Sequence, residues 1–434
     1  MANRKQMPKE PEPLTGNSFG EWFLKNKTAI KILLMAALIF SLVYNYIRDD
    51  SKPIFQPTPY DSYFYEKAEI IAITKDTVSP DRYALDELEI GNQTMLVRVK
   101  SGMFKGENIE VVNNVSTFNS RKMAVGDKII ICIYAEFTEN GQIYEGEAPT
   151  SQADGGTYSL EKASVYNPNR LIGILILLIA FVAITTLVGG KTGAKSLLGL
   201  ALTVACVIWI MCPLLMKGAP MVLTSFLICV YVTVVSFVLL GGVSKKTVCA
   251  IFGTVAGIAL AAIFSFIAQR IAKVSDYNLY DISPEIEEFK NMQLQGIPLH
   301  IKGVMTAGIL ISALGAVMDV AMSLSSSISE LKSVNPDLGF KELWKSGMNI
   351  GRDMVGTMTN TLILAFVGSS LVLLIWMWSL HLSFHQLISS PFLSVELISA
   401  LSSSIGVILA VPLTALIGAA FFSKTENNEK LVKR

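Results

Sequence analysis

Apolar residues in this chain gather into runs of roughly 20 separated by short polar turns, the length a helix needs to cross a bilayer's hydrocarbon core. The runs are Thr28–Tyr46, Leu171–Val188, Ser196–Met216, Pro220–Val243, Thr247–Ala268, Gly303–Ile328, Met354–Trp378 and Leu397–Phe422. Between the first two, the pattern shortens to β-rich runs at Ala68–Thr74, Gln93–Lys100, Asn108–Asn114, Lys128–Ala135 and Tyr158–Val165. Gly102 and Gly106 suit a hairpin between the second and third of these, and Val125–Lys128 reads as a turn into the fourth. Strands of this number and length favour a small sandwich or a five-stranded barrel of the OB type. The chain therefore predicts a polytopic α-helical membrane protein of about eight transmembrane helices, with a small β-rich, OB-like domain between helices 1 and 2. Its expected parts are a cytoplasmic basic N-terminus (1–27), an anchor helix (28–47), an extracytoplasmic β-rich domain (48–168), a seven-helix membrane domain (169–423) and a cytoplasmic basic tail (424–434).

Composition agrees with this pattern: 51% of the 434 residues are hydrophobic and only 16% are charged. The distribution of Lys and Arg then predicts orientation. Arg4, Lys5, Lys9, Lys25, Lys27 and Lys31 surround the start of the first run. Every second loop after it is basic, with Lys191 and Lys195, then Lys245 and Lys246, then Lys332, Lys341 and Lys345, and finally the tail. By the positive-inside rule both termini are cytoplasmic. The first run ends in Tyr44–Asp49 without a small-residue cleavage site, so it reads as an uncleaved anchor. Five cysteines, four of them inside spans, give no disulfide framework. A net charge of +1 points to neither nucleic acid nor an acidic substrate.

Against this apolar background the polar residues inside the spans stand out. Ser312, Asp319, Ser323, Ser326 and Glu330 follow steps of three, four and seven and share one helix face, with Gly308 and Gly315 beside them. In the next span Asn349, Asp353, Thr357 and Asn360 share a face, with Gly356 alongside and Arg352 one position round. A charge at bilayer depth costs about 2.5–3.5 kcal/mol on insertion scales, so such stripes are expected to face each other or a water-filled cavity. Asp319 and Arg352 would pair if the hairpin register brought them level. An isolated carboxylate among hydroxyls suits cation binding or proton carriage. No phosphate loop, nucleophile–base pair or Cys/His cluster accompanies it, so no enzyme and no cofactor is expected.

The remaining signals concern assembly and secondary sites. His381 and His385, four apart, would share a helix face near Glu396, the set from which a zinc site would draw. Without a thiolate no metal is expected there. Two similar turns, Leu187–Ser196 and Leu239–Thr247, suggest either duplicated hairpins in parallel orientation or simply good turn chemistry. Pro412 would kink the last span beside the polar core. Ser283–Gly296 reads as a capped interfacial helix, and Asp81, Asp86, Glu87 and Glu89 as a solvated acidic stretch.

Three segments, Gly315–Ser323, Gly351–Leu364 and Ser404–Thr414, together resemble the YibE/F family of bacterial integral membrane proteins. Gly102–Glu107 and Val125–Lys128 are similar to its YibE-like members, which carry an anchor and an outer domain. The resemblance implies a multi-pass protein of the bacterial plasma membrane, with a shorter YibF-like membrane partner or a homo-oligomer. It implies no substrate. The expected function is a transporter or permease using Asp319 on a polar path lined by Ser312, Ser323, Arg352, Asp353, Thr357 and Asn360. The alternative is a non-catalytic assembly or export accessory whose outer domain binds a partner.

Overall fold

The computed structural model describes residues 27–47, 63–81, 88–116, 121–139, 142–143, 157–276, 294 and 298–423. The Ser283–Gly296 helix, apart from residue 294, and half of the acidic stretch (Asp86, Glu87) lie outside the described residues. The chain divides into two compact units, Asp49–Ile184 and Met1–Arg48 with Thr185–Arg434.

In the first unit, five long strands close on themselves: β1 (Tyr63–Asp76), β3 (Glu89–Val99), β4 (Asn108–Val115), β5 (Lys128–Glu139) and β7 (Thr157–Pro168). Two-residue strands β2 (Ser79–Pro80) and β6 (Gln142–Ile143) extend the edges. The order runs β1-β3-β4-β7-β5, and β5 pairs back to β1, so the result is a small β-barrel. Every long pairing is antiparallel except β4 with β7. Alternation explains the closure. Ile129, Ile131, Ile133 and Ala135 on β5 are fully buried, as are Met95 and Val97 on β3 and Val111 on β4, while their neighbours point outward. Each such Ile or Val stabilises by about 1.5–3 kcal/mol relative to exposure.

One buried pair in the barrel is polar. Gln93 and Asn113 sit opposite each other across β3 and β4, and Asn113 Nδ2 donates to Gln93 Oε1 at 3.2 Å. The same Gln93 oxygen accepts the Met123 N–H at 2.9 Å, so the pair fastens the segment before β5. The predicted hairpin also forms: Val99 N–H donates to Glu107 O at 3.0 Å and Gly106 N–H returns to Val99 O at 2.9 Å. Gly102 adopts φ +70, and a Cβ there would collide with the Glu66 carboxylate, which accepts the Ser101 hydroxyl at 2.6 Å. Only glycine fits.

The remaining elements are helical: α1 (Lys27–Ile47), α2 (Leu171–Cys206), a π-turn at Val207–Met211, α3 (Cys212–Met216), α4 (Met221–Gly241), α5 (Lys245–Ala272), α6 (Val304–Val334), α7 (Phe340–Ser369), α8 (Leu371–Ser379), α9 (Phe384–Ile388) and α10 (Pro391–Ser423). Among the described residues, six helices are long and apolar enough to cross a membrane, or seven with α7 and α8 taken as one span bent by 56°. The sequence predicts eight, and the difference lies in α2. Gly190 inside it is non-helical (φ 54, ψ −140), and a Cβ on Gly193 would strike the Thr185 carbonyl oxygen. In a continuous helix those residues lie about 12 Å apart along the axis, so the chain turns back there. Gly242 at the end of α4 has φ 67, so both Gly-Gly turns use their second glycine in a positive-φ conformation. That favours the turn-chemistry reading of the repeat.

α6 is the axis of the second unit. Leu310, Ala313, Val317, Val320, Leu324 and Ile328 along one side are fully buried, packed among α4, α5, α7 and α10. α5 and α10 approach each other through glycine. A Cβ on Gly257 would stand 2.8 Å from Ala410 Cβ, one on Gly406 2.7 Å from Ala261 Cβ, and one on Gly253 would overlap Thr414. Small residues let membrane helices approach this closely. Pro412 lies within the uninterrupted α10.

Candidate functional site

The opposite side of α6 is the polar one. Gly308, Ser312, Gly315, Asp319, Ser323 and Glu330 are all exposed, and Ser326 is half-buried. On α7, Asn349, Arg352, Asp353, Gly356, Thr357, Asn360 and Thr361 are exposed as well. A Cβ on Gly308, Gly315 or Gly356 would meet nothing within 4 Å. The stripes are open, neither turned against each other nor folded into a closed interior. Of the two expected arrangements, mutual facing within one chain is not what the structure shows.

The hairpin register explains the outcome. A Cβ on Gly351 would lie 3.6 Å from Leu324 Cδ2, and one on Gly347 2.9 Å from Ile328 Cδ1. α6 and α7 therefore run antiparallel with Asp319 level with Gly356, while Arg352 is level with Ser323. One helical turn is about 5.4 Å, so Asp319 and Arg352 miss each other along the axis, and among the described residues they form no ion pair. Lys332 fixes the register from the turn, donating to Leu338 O at 2.9 Å and also to Pro336 O. Glu342 caps α7 by accepting the Gly339 N–H at 2.9 Å.

Local hydrogen bonds account for part of the stripes. Thr357 Oγ1 donates to Met354 O at 3.1 Å and Thr361 Oγ1 to Thr357 O at 2.8 Å, so both hydroxyls turn back onto their own helix. Ser312 bridges to α10, its hydroxyl 3.1 Å from that of Ser403. Asp319, Ser323, Arg352, Asp353 and Asn360 remain directed to the open face. A carboxylate and a guanidinium at this position need water or another protein surface, since lipid can satisfy neither.

The structure does not bring the weak candidates His381, His385 and Glu396 together. α9 begins at Phe384, capped by the Ser383 hydroxyl, and His381 lies before it with φ 49. His381 and His385 therefore share no helix face, and among the described residues no three His, Cys, Asp or Glu side chains, Glu396 included, gather as metal ligands.

A second polar region lies where α5 ends and α4 and α6 begin. Asp276, buried at 8% exposure, accepts the Gly303 N–H at 2.7 Å and the Met305 N–H at 3.0 Å. It supplies from a distant loop the cap that α6 lacks. Below it, Gln269 Nε2 donates to Ser265 Oγ at 3.0 Å and Thr306 Oγ1 at 2.9 Å, linking α5 to α6. Sequence reasoning missed this region because its residues come from segments some thirty positions apart; the charged Arg270–Asp276 stretch was the available signal.

Architecture and site together define a polytopic helical membrane protein that carries a small β-barrel and polar groups along an open face. The chain matches the model of the YibE/F-like protein family over residues 177–424, more than half its length, and belongs to that family. No curated protein and no solved structure matches it.

Proposed function

We propose that the protein is a multi-pass permease of the bacterial plasma membrane, with Asp319 on a polar path along α6 and α7 that a second copy of the chain closes. The observation carrying this reading is the exposed polar stripe on α6 and α7, open at Gly308, Gly315 and Gly356, within helices long enough to span the bilayer. A twofold axis normal to the membrane would set α6 of one copy beside α7 of the other. Asp319 would then stand level with the open Gly356 of its partner, with the Asn360 amide about one helical turn away. A shorter YibF-like chain in place of the second copy is the competing occupant. Both termini lie in the cytoplasm in this reading, and the barrel, with its β1-β3-β4-β7-β5 closure, is of the OB type.

The test is proton and cation flux in proteoliposomes. Flux in the wild type, abolished in a folded Asp319→Asn variant, supports a path through this carboxylate. Undiminished flux in Asp319→Asn removes it.

A second reading has its own observation. Tyr63, Tyr65 and Tyr166 are exposed on the barrel, with ring centroids 5.0 Å apart for Tyr63–Tyr134 and 4.9 Å for Tyr65–Tyr166. Exposed aromatic clusters are characteristic of binding surfaces, which favours an assembly or export accessory. Co-purification of a partner, lost on deleting Lys67–Val165, together with no flux, would select it.

A further inference from the structure

We infer that the cleft between the start of α4, the end of α5 and the start of α6 is a binding site for an oxyanion of the phosphate class. The cleft encloses about 770 Å³ and carries Arg270, Lys273, His300 and Lys302 on its lining. Among the described residues the lining thus holds three permanent cations and one carboxylate, Asp276, whose two oxygens both accept backbone N–H groups at the start of α6. Among the described residues none of the three cations has an ion-pair partner.

The placement of these cations needs a cause. The basic turns read as cytoplasmic, with Lys245, Lys246 and Lys332, lie at the other end of the same helices. Positive-inside bias therefore does not explain a cationic cluster at this end. Like charges brought together beside a membrane repel one another unless an anion joins them. The backbone is also shaped here at a cost. Lys273 closes α5 in the left-handed region at φ 55, a conformation disfavoured for a side chain of its kind, and Gly303 opens α6 at φ 93. Arg270 is held by the Phe266 ring, 5.1 Å from its centroid, which leaves its guanidinium edge available for bidentate contact with an oxyanion.

The rest of the lining is largely apolar, with Met221, Val222, Phe266 and Val274. A phosphate attached to an apolar group fits this combination, as a lipid headgroup at the edge of the bilayer would. A free phosphate meets the same cations without using the apolar wall. The two sources share the chemistry of recognition and differ in what else the cleft must hold.

The experiment uses the full-length protein purified in detergent, titrated separately with inorganic phosphate and with short-chain phosphatidylglycerol, reading the thermal midpoint and the apparent affinity. Either ligand should raise the midpoint of the wild type, and phosphatidylglycerol alone doing so identifies the lipid source. Removing a charge-assisted contact should weaken binding about tenfold, so Arg270→Gln with Lys302→Gln should lower affinity at least that far. Lys273→Arg, which keeps the charge, should retain binding and guards against a folding defect in the double variant. No midpoint shift with either ligand, or equal affinity in wild type and a folded double variant, overturns the assignment.

Discussion

Glycine is used in two opposite ways within the helical unit, and the contrast separates structure from function. Along α5 and α10, Gly253, Gly257, Gly406 and Gly418 each meet a neighbour at or inside contact distance, and Gly347 and Gly351 of α7 do the same against α6 and α10. Along the outer faces of α6 and α7, Gly308, Gly315 and Gly356 meet nothing. The first group has been spent on close packing. The second is interleaved with Asp319, Ser323, Asp353 and Asn360, groups that lipid cannot satisfy, and in the proposed reading its free space receives a second copy of the chain.

If that contrast is right, large residues should have opposite effects in the two places. Gly257→Leu would drive a side chain into Ala410 and Val317. Overpacking of this kind costs about 1–3 kcal/mol or more, and the expected result is loss of monodisperse protein on gel filtration. Gly351→Leu, aimed at Val411, should behave alike. In the open face, Gly315→Leu should leave the thermal midpoint of the isolated chain almost unchanged, within about 0.5 kcal/mol, while abolishing self-association and flux. A Gly315→Leu variant as unstable as Gly257→Leu would erase the distinction.

The barrel supplies smaller effects away from the membrane. Gly102→Ala must place a Cβ against Glu66 at φ +70 and should destabilise the Ser101–Glu107 hairpin by about 1 kcal/mol or more. Faster amide exchange in β3 and β4 is the readout. The Lys122 ammonium, 2.9 Å away, and the Val78 N–H hold the Asp76 carboxyl below its ordinary value. A carboxyl with a depressed folded value contributes stability above its unfolded value and loses it as pH falls through the folded one. Protection from exchange at the ends of β1 and β3, taken relative to the intrinsic rate at each pH, should therefore fall as pH drops below the usual carboxylate range. Asp76→Asn should flatten that dependence, the smallest effect of the set.

How much of this was legible in the sequence depends on whether the cause was local. The three- and four-residue spacing from Ser312 to Glu330 placed those side chains on one face of α6, and the alternation Ile129, Ile131, Ile133 marked the barrel interior, because helix and strand periodicity are local properties. What the stripe would face was not legible. Register between α6 and α7 is set by Leu324 against Gly351 and Ile328 against Gly347, contacts that periodicity does not encode. The turn at Gly190 was marked by Gly-Gly, and the bend between α7 and α8 falls at Gly368-Ser369-Ser370, where small residues favour a kink. The pairing of His381 with His385 failed because Ser383 starts a new helix between them. The Asp276 cap on α6 crosses 27 positions, which no motif announces.

The proposed permease requires a second copy of the chain over the open polar face. The most direct test is the mass of the protein in lipid nanodiscs, measured for wild type and Gly315→Leu. A dimer is expected for the wild type and a monomer for the variant; a wild type that is monomeric, or that pairs instead with a shorter chain, would overturn self-pairing.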